Sequence, residues 1–169
     1  MKPVTRTNLL RAALVVLGLA ALTLLAGQPV ALAQTGAGGE LPIQRLRVQV
    51  MPEFDDPRVL VIVQGRLAAA DDQFPLAVTF RLPAGALVNQ MAGIDMSSGR
   101  TAAQEYTLEP DPSSPDWMLA SYTLPSAHFF YEYYYDPLPA GSDKTFTYLL
   151  DGLHPVEDLV IEVQQPLKA

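Results

Sequence analysis

Leu76-Ala77-Val78-Thr79-Phe80-Arg81-Leu82 decides the fold class. Leu76, Val78, Phe80 and Leu82 recur at every second position, with Ala77, Thr79 and Arg81 between them. Successive side chains of an extended chain point to opposite faces, so a period of two describes a strand with one buried face. Pro83-Ala84-Gly85 ends the run, because Pro cannot donate to a ladder and Gly adopts turn conformations.

Working outward, the same rhythm recurs. In Ile43–Val50, Leu46, Val48 and Val50 point one way and Arg45, Arg47 and Gln49 the other. Val59–Val63 is apolar on both faces, as expected of a central strand covered on both sides, and Gly65 marks a bulge or a close approach. Ala86–Ile94, Gln104–Leu108, Trp117–Leu124, Ala127–Tyr135, Thr145–Leu150 and Leu159–Val163 complete nine candidate strands. The segments between them, such as Asp95–Arg100, Glu109–Asp116 and Asp136–Asp143, are rich in Pro, Gly, Asp and Ser and read as loops. No convincing helical period appears after residue 40. The pattern predicts an all-β domain, a two-layer antiparallel β-sandwich over residues 41–166 with a short tail at 167–169.

The N-terminus is of another kind. Lys2, Arg6 and Arg11 form a basic head, and an uncharged apolar run follows from Ala12 to Ala26. Gly27-Gln28-Pro29 breaks that run, and Ala31-Leu32-Ala33 precedes Gln34. This is the order of a signal peptide: n-region, h-region and A-x-A cleavage site. The expectation is a signal helix in residues 1–33, cleavage between Ala33 and Gln34, and a glycine-rich flexible leader over 34–40. The alternative is an uncleaved anchor, but the apolar run is shorter than the roughly 20 residues needed to span a bilayer. The expected location is therefore periplasmic or extracellular, with membrane attachment only through an uncleaved signal.

The charge agrees with an exported, soluble domain. Three of the 11 basic residues lie in the signal; the remaining eight against 18 acidic residues leave −10 after Ala33. Such a surface repels phosphate backbones and anionic lipids, which argues against a nucleic-acid partner. The chain has no Cys, which excludes disulfides, thiol catalysis and Cys-based metal centres.

Three constellations bear on function. His128-Phe129-Phe130-Tyr131-Glu132-Tyr133-Tyr134-Tyr135 is the most unusual stretch. As a strand it puts Phe129, Tyr131, Tyr133 and Tyr135 on one face and His128, Phe130, Glu132 and Tyr134 on the other. The first set, uniformly aromatic, reads as core. The second reads as the face toward solvent or a partner, where exposed rings suit sugar C–H faces. Paired acids in turns, Asp55 with Asp56 and Asp71 with Asp72, are candidate calcium ligands, although no D-x-[DN]-x-[DN]-G loop is present. His128 and His154 lack the spacing of a zinc pair. No G-x-S-x-G, P-loop or dinucleotide-binding glycine pattern occurs.

From about Leu41 to Pro166 the chain resembles bacterial exported immunoglobulin-like or fibronectin-like β-sandwich modules of surface proteins. The resemblance rests on the strand rhythm, the Val59–Val63 run and the tyrosine-rich late strand, and no functional residues are carried over with it. It implies a non-catalytic extracytoplasmic module that binds or assembles with protein or polysaccharide of the envelope. Two alternatives are a carbohydrate-active hydrolase or its accessory subunit, for which Glu105, Glu109 and Glu132 are the available carboxylates, and a purely structural envelope protein.

Overall fold

The computed structural model describes residues 41–150 and 153–165. The expected signal helix, its cleavage residues Ala31, Ala33 and Gln34, the leader 34–40 and the tail 167–169 lie outside the described residues. What is described is all-β: nine strands in two sheets, with a single 3-10 turn at Asp71–Gln73.

The strands are β1 (Ile43–Pro52), β2 (Val59–Leu67), β3 (Leu76–Pro83), β4 (Leu87–Asp95), β5 (Arg100–Ala103), β6 (Tyr106–Pro110), β7 (Trp117–Leu124), β8 (His128–Tyr135) and β9 (Leu159–Val163). One sheet has the order β5-β4-β8-β2-β1-β9 and the other β3-β7-β6. β2 lies beside β8, and β3, which follows β2, lies beside β7, which precedes β8. The chain therefore runs as a double antiparallel ribbon that crosses from the large sheet to the small one.

Local patterning explains the core. In β3, Val78, Phe80 and Leu82 are buried, as their alternation requires. Leu46, Val48 and Val50 of β1 face inward beside Val63 and Val61 of β2, and Arg45 and Arg47 face out. Phe80 meets the large sheet in the middle of the core, with ring centroids 4.7 Å from Phe129 and 5.1 Å from Tyr131. Phe129, Tyr131 and Tyr133 are all buried there.

Four expectations are corrected. Thr145–Leu150 forms no strand: Phe146, Tyr148 and Leu150 alternate and pack on the core, but among the described residues the segment joins no ladder. Arg100–Ala103, part of which read as a loop, is a strand because β4 supplies partners for it, from Ala92↔Ala103 to Asp95↔Arg100. The large sheet is not wholly antiparallel, since β9 pairs β1 in parallel, from Leu46↔Leu159 to Val50↔Val163. The long connection over 136–158 makes this possible, because a parallel neighbour needs a crossover of a dozen or more residues. Finally, β2 is central in its sheet, but its outer face has no second layer among the described residues. There Leu60 is shielded by its register neighbours Met51 and Tyr134, while Ile62 stays half-buried.

Candidate functional site

The outer face of β8 is where the sequence placed an aromatic binding surface. Phe130 lies among Gln64 and Ala92 of the adjacent strands and is only 9% exposed. Tyr134 is engaged within the chain. Its hydroxyl donates to both carboxylate oxygens of Asp55, at 3.0 and 2.9 Å, and the Arg58 guanidinium stands 4.7 Å over its ring. Glu132 accepts from the Asn89 side chain. His128 is half-buried; burial first, then Arg66, holds its imidazole below the ordinary histidine range, against a smaller opposing effect of Asp71. The four residues therefore share a face but present no open platform of rings.

The acidic turns are separated by the fold. Asp55 and Asp56 precede β2, and Asp71 and Asp72 follow it. Eight steps along a strand cover about 26 Å, so the two pairs cannot share an ion. Asp56 is committed to Arg58, with Nε to Oδ1 at 2.6 Å and Nη2 to Oδ2 at 2.8 Å. That pairing holds the Asp56 carboxyl down at about 2. Among the described residues no group of three or more His, Asp or Glu side chains is gathered to hold a metal.

A shallow groove of about 530 Å³ crosses one end of the outer face, lined by Gln44, Arg45, Arg47, Gln64, Arg66 and His128 among others. Its arginines are largely answered from within. Arg45 binds Asp158 at 3.1 Å, Arg47 binds Glu162 at 2.8 Å, and Arg66 donates to the Gln44 side chain. The carboxylates nominated for glycoside hydrolysis do not converge on it. Glu132 lies on β8 of the large sheet and Glu109 on β6 of the small one, with Glu105 just before β6.

The loop Asp95–Arg100, between β4 and β5, is held by a different device. Asp95 accepts from Ser97 N, Ser97 Oγ and Ser98 Oγ at 2.9, 2.6 and 2.7 Å, and these bonds pull its carboxyl down to about 2. A carboxyl depressed in the folded state stabilises above its unfolded range, near 3.9, and loses that contribution as pH falls toward the folded value. Asp95→Asn therefore melts below wild type at pH 7, with the gap closing between about pH 4 and 2. A gap constant across thermal melts at pH 7, 4 and 2 would contradict this account.

The sequence did not flag the most exposed apolar element. All five residues of β9 are exposed. Leu159, Val160, Ile161 and Val163 are 46, 42, 49 and 68% exposed, four of the large apolar side chains open to solvent among the described residues. Leu159 is register-matched to core-facing Leu46, so Leu159, Ile161 and Val163 lie on the inward face, yet all three remain exposed there. Val160 and Glu162 occupy the outer face. Large exposed apolar clusters mark interaction surfaces more often than isolated exposed residues do.

Among the described residues, the fold and these surfaces define a two-sheet β-sandwich domain whose β9 edge is apolar and exposed. Compared with protein-family models and with curated proteins, the chain matches none.

Proposed function

We propose that this chain is a non-catalytic extracytoplasmic binding or assembly module of the bacterial envelope, and that it takes a protein partner by strand addition at β9. The observation that carries the reading is the five-residue exposure of β9 at the edge of the large sheet. Strand addition supplies main-chain hydrogen bonds for affinity and side-chain contacts for selectivity. The intramolecular ties of Tyr134 and the burial of Phe130 favour protein over polysaccharide as the partner. Export rests on the basic head, the apolar run and Ala31-Leu32-Ala33.

The immunoglobulin-like part of the proposal concerns layout. β4-β8-β2-β1 against β3-β7-β6 is a four-plus-three arrangement like that of constant-type immunoglobulin domains. The chain visits β6, β7 and β8 in the reverse of the immunoglobulin order, so the likeness proposed is spatial and does not extend to connectivity.

Because the chain has no Cys, single-cysteine variants give unique handles. Val160→Cys and Tyr106→Cys, the latter on the small sheet, are treated in intact cells with a membrane-impermeant thiol reagent carrying a photo-crosslinker. Both should be labelled, and only Val160→Cys should yield a crosslinked protein band. Failure to label either variant from outside overturns the extracytoplasmic location. Equal crosslinking from both positions, or none from Val160→Cys, overturns the role of β9.

A further inference from the structure

We infer that β9 is a homodimerisation strand, pairing antiparallel with β9 of a second copy about a twofold axis through Ile161 and joining the two six-stranded sheets edge to edge. The inference rests on the reading above, that β9 is a binding edge, and commits it to one occupant.

Natural sheets blunt their edges with short strands, charges, prolines or a covering segment, because unpaired N–H and C=O groups template association. β5 has only four residues and begins with Arg100. β6 carries Glu109 and ends at Pro110. β3 follows Pro75 and ends at Pro83, and its Thr79 carbonyl meets His154 Nε2 at 3.0 Å. β9 is as short as β6, at five residues, but it contains no proline and all five of its residues are exposed. Its one charge, Glu162, is bound to Arg47 and Gln49 of its own sheet.

The Asp158 carbonyl accepts from Leu46 N at 2.8 Å, and Gln164 N donates to the Val50 carbonyl at 2.9 Å. A parallel ladder uses alternate residues, so the N–H and C=O groups of Leu159, Ile161 and Val163 point away from β1. Directly opposed residues in an antiparallel pair are both hydrogen-bonded or both not. Odd-numbered residues of one copy must therefore face odd-numbered residues of the other.

Charge and apolar matching together favour one register. Centring on Ile161 sets Leu159 against the second copy's Val163, Ile161 against itself, Val160 against Glu162, and Asp158 against Gln164. Three apolar pairs then lie on the inward face, and no like charges meet. Shifting the axis to Glu162 opposes two glutamates, and shifting it to Val160 opposes Glu162 to Asp158. Like charges directly opposite each other destabilise a sheet. Axes through Leu159 or Val163 oppose no like charges but leave the inward apolar residues unmatched, so only the register through Ile161 pairs Leu159, Ile161 and Val163 with one another, as a twofold interface requires.

Light scattering across a concentration series tests this with the purified full chain. Wild type should have the mass of two chains. Ile161→Lys, which sets two lysines against each other on the axis, should have the mass of one while keeping the wild-type circular dichroism. An independent readout is oxidative crosslinking of Ile161→Cys. Residues in such a pair stand about 5.5 Å apart between Cα atoms, inside the disulfide range of roughly 4.4–6.8 Å. Ile161→Cys should give a disulfide-linked dimer and Tyr106→Cys should not. A wild-type chain of single mass at every concentration, or a dimer that Ile161→Lys leaves intact, overturns self-pairing. If the Val160→Cys crosslink then joins this chain to a different protein, the binding edge stands and its occupant is not a second copy.

Discussion

Phe129→Ala loses about 3–5 kcal/mol of unfolding free energy, the largest single loss expected in this domain. Phe129 is fully buried, and its ring sits 4.7 Å from Phe80 across the sandwich and stacks 6.2 Å from Tyr131 along its own strand. Removing it takes away the transfer free energy of a phenyl ring. It also leaves a cavity between the sheets that well-packed neighbours fill only in part. Domains of this kind hold about 5–15 kcal/mol in all, so the variant should be close to its unfolding threshold. Urea denaturation read by tryptophan fluorescence, with Trp117 as the sole reporter, measures the loss. Phe129→Leu, which retains much of the volume, should lose less. A loss for Phe129→Ala below about 1 kcal/mol would mean that the two sheets do not meet through this ring.

Gly65→Ala should cost about 1–3 kcal/mol by the opposite error, overfilling. A methyl group at residue 65 would stand 2.3 Å from Phe129 Cζ, 2.7 Å from Phe129 Cε1 and 2.9 Å from the Arg45 carbonyl oxygen. Neither obstacle yields easily. The ring is held by Phe80 and Tyr131, and the carbonyl belongs to β1 beside the register shift between Ile43 and Arg45. Because the clash is chiefly with the ring, the two substitutions should couple. In a Phe129→Ala background, Gly65→Ala should cost clearly less than in wild type. A double-mutant cycle with no coupling would place the strain at the Arg45 carbonyl alone.

The close approach at Gly65 was legible in outline, since a glycine within an apolar strand signals a bulge or a near neighbour. Which neighbour was not legible. Phe129 is far away in sequence, and only the β2–β8 register brings Gly65 opposite Phe129. The aromatic strand gave a similar mixture. Its period of two assigned Phe129, Tyr131 and Tyr133 to a common face, and those three rings are buried. The opposite face is closed by groups from distant turns. Asp55 and Arg58 engage Tyr134, and neither contact has a local sequence signal. The same turns explain why the acidic pairs do not combine, since a whole strand separates Asp56 from Asp71.

The all-β class, the position of most strands and the apolar faces of those strands are local, because alternation is a property of a single chain segment. Tertiary structure alone decided which segments find a backbone to pair with. Arg100–Ala103 is a strand because β4 lies beside it, and Thr145–Leu150 is not one despite its alternation. Leu159–Val163 reads in sequence as one more strand that closes the domain. Its parallel placement at the edge beyond β1 leaves the same apolar residues exposed. Ladder hydrogen bonds and burial are made between residues far apart in the chain, so neither is written in the local pattern that encodes the strand.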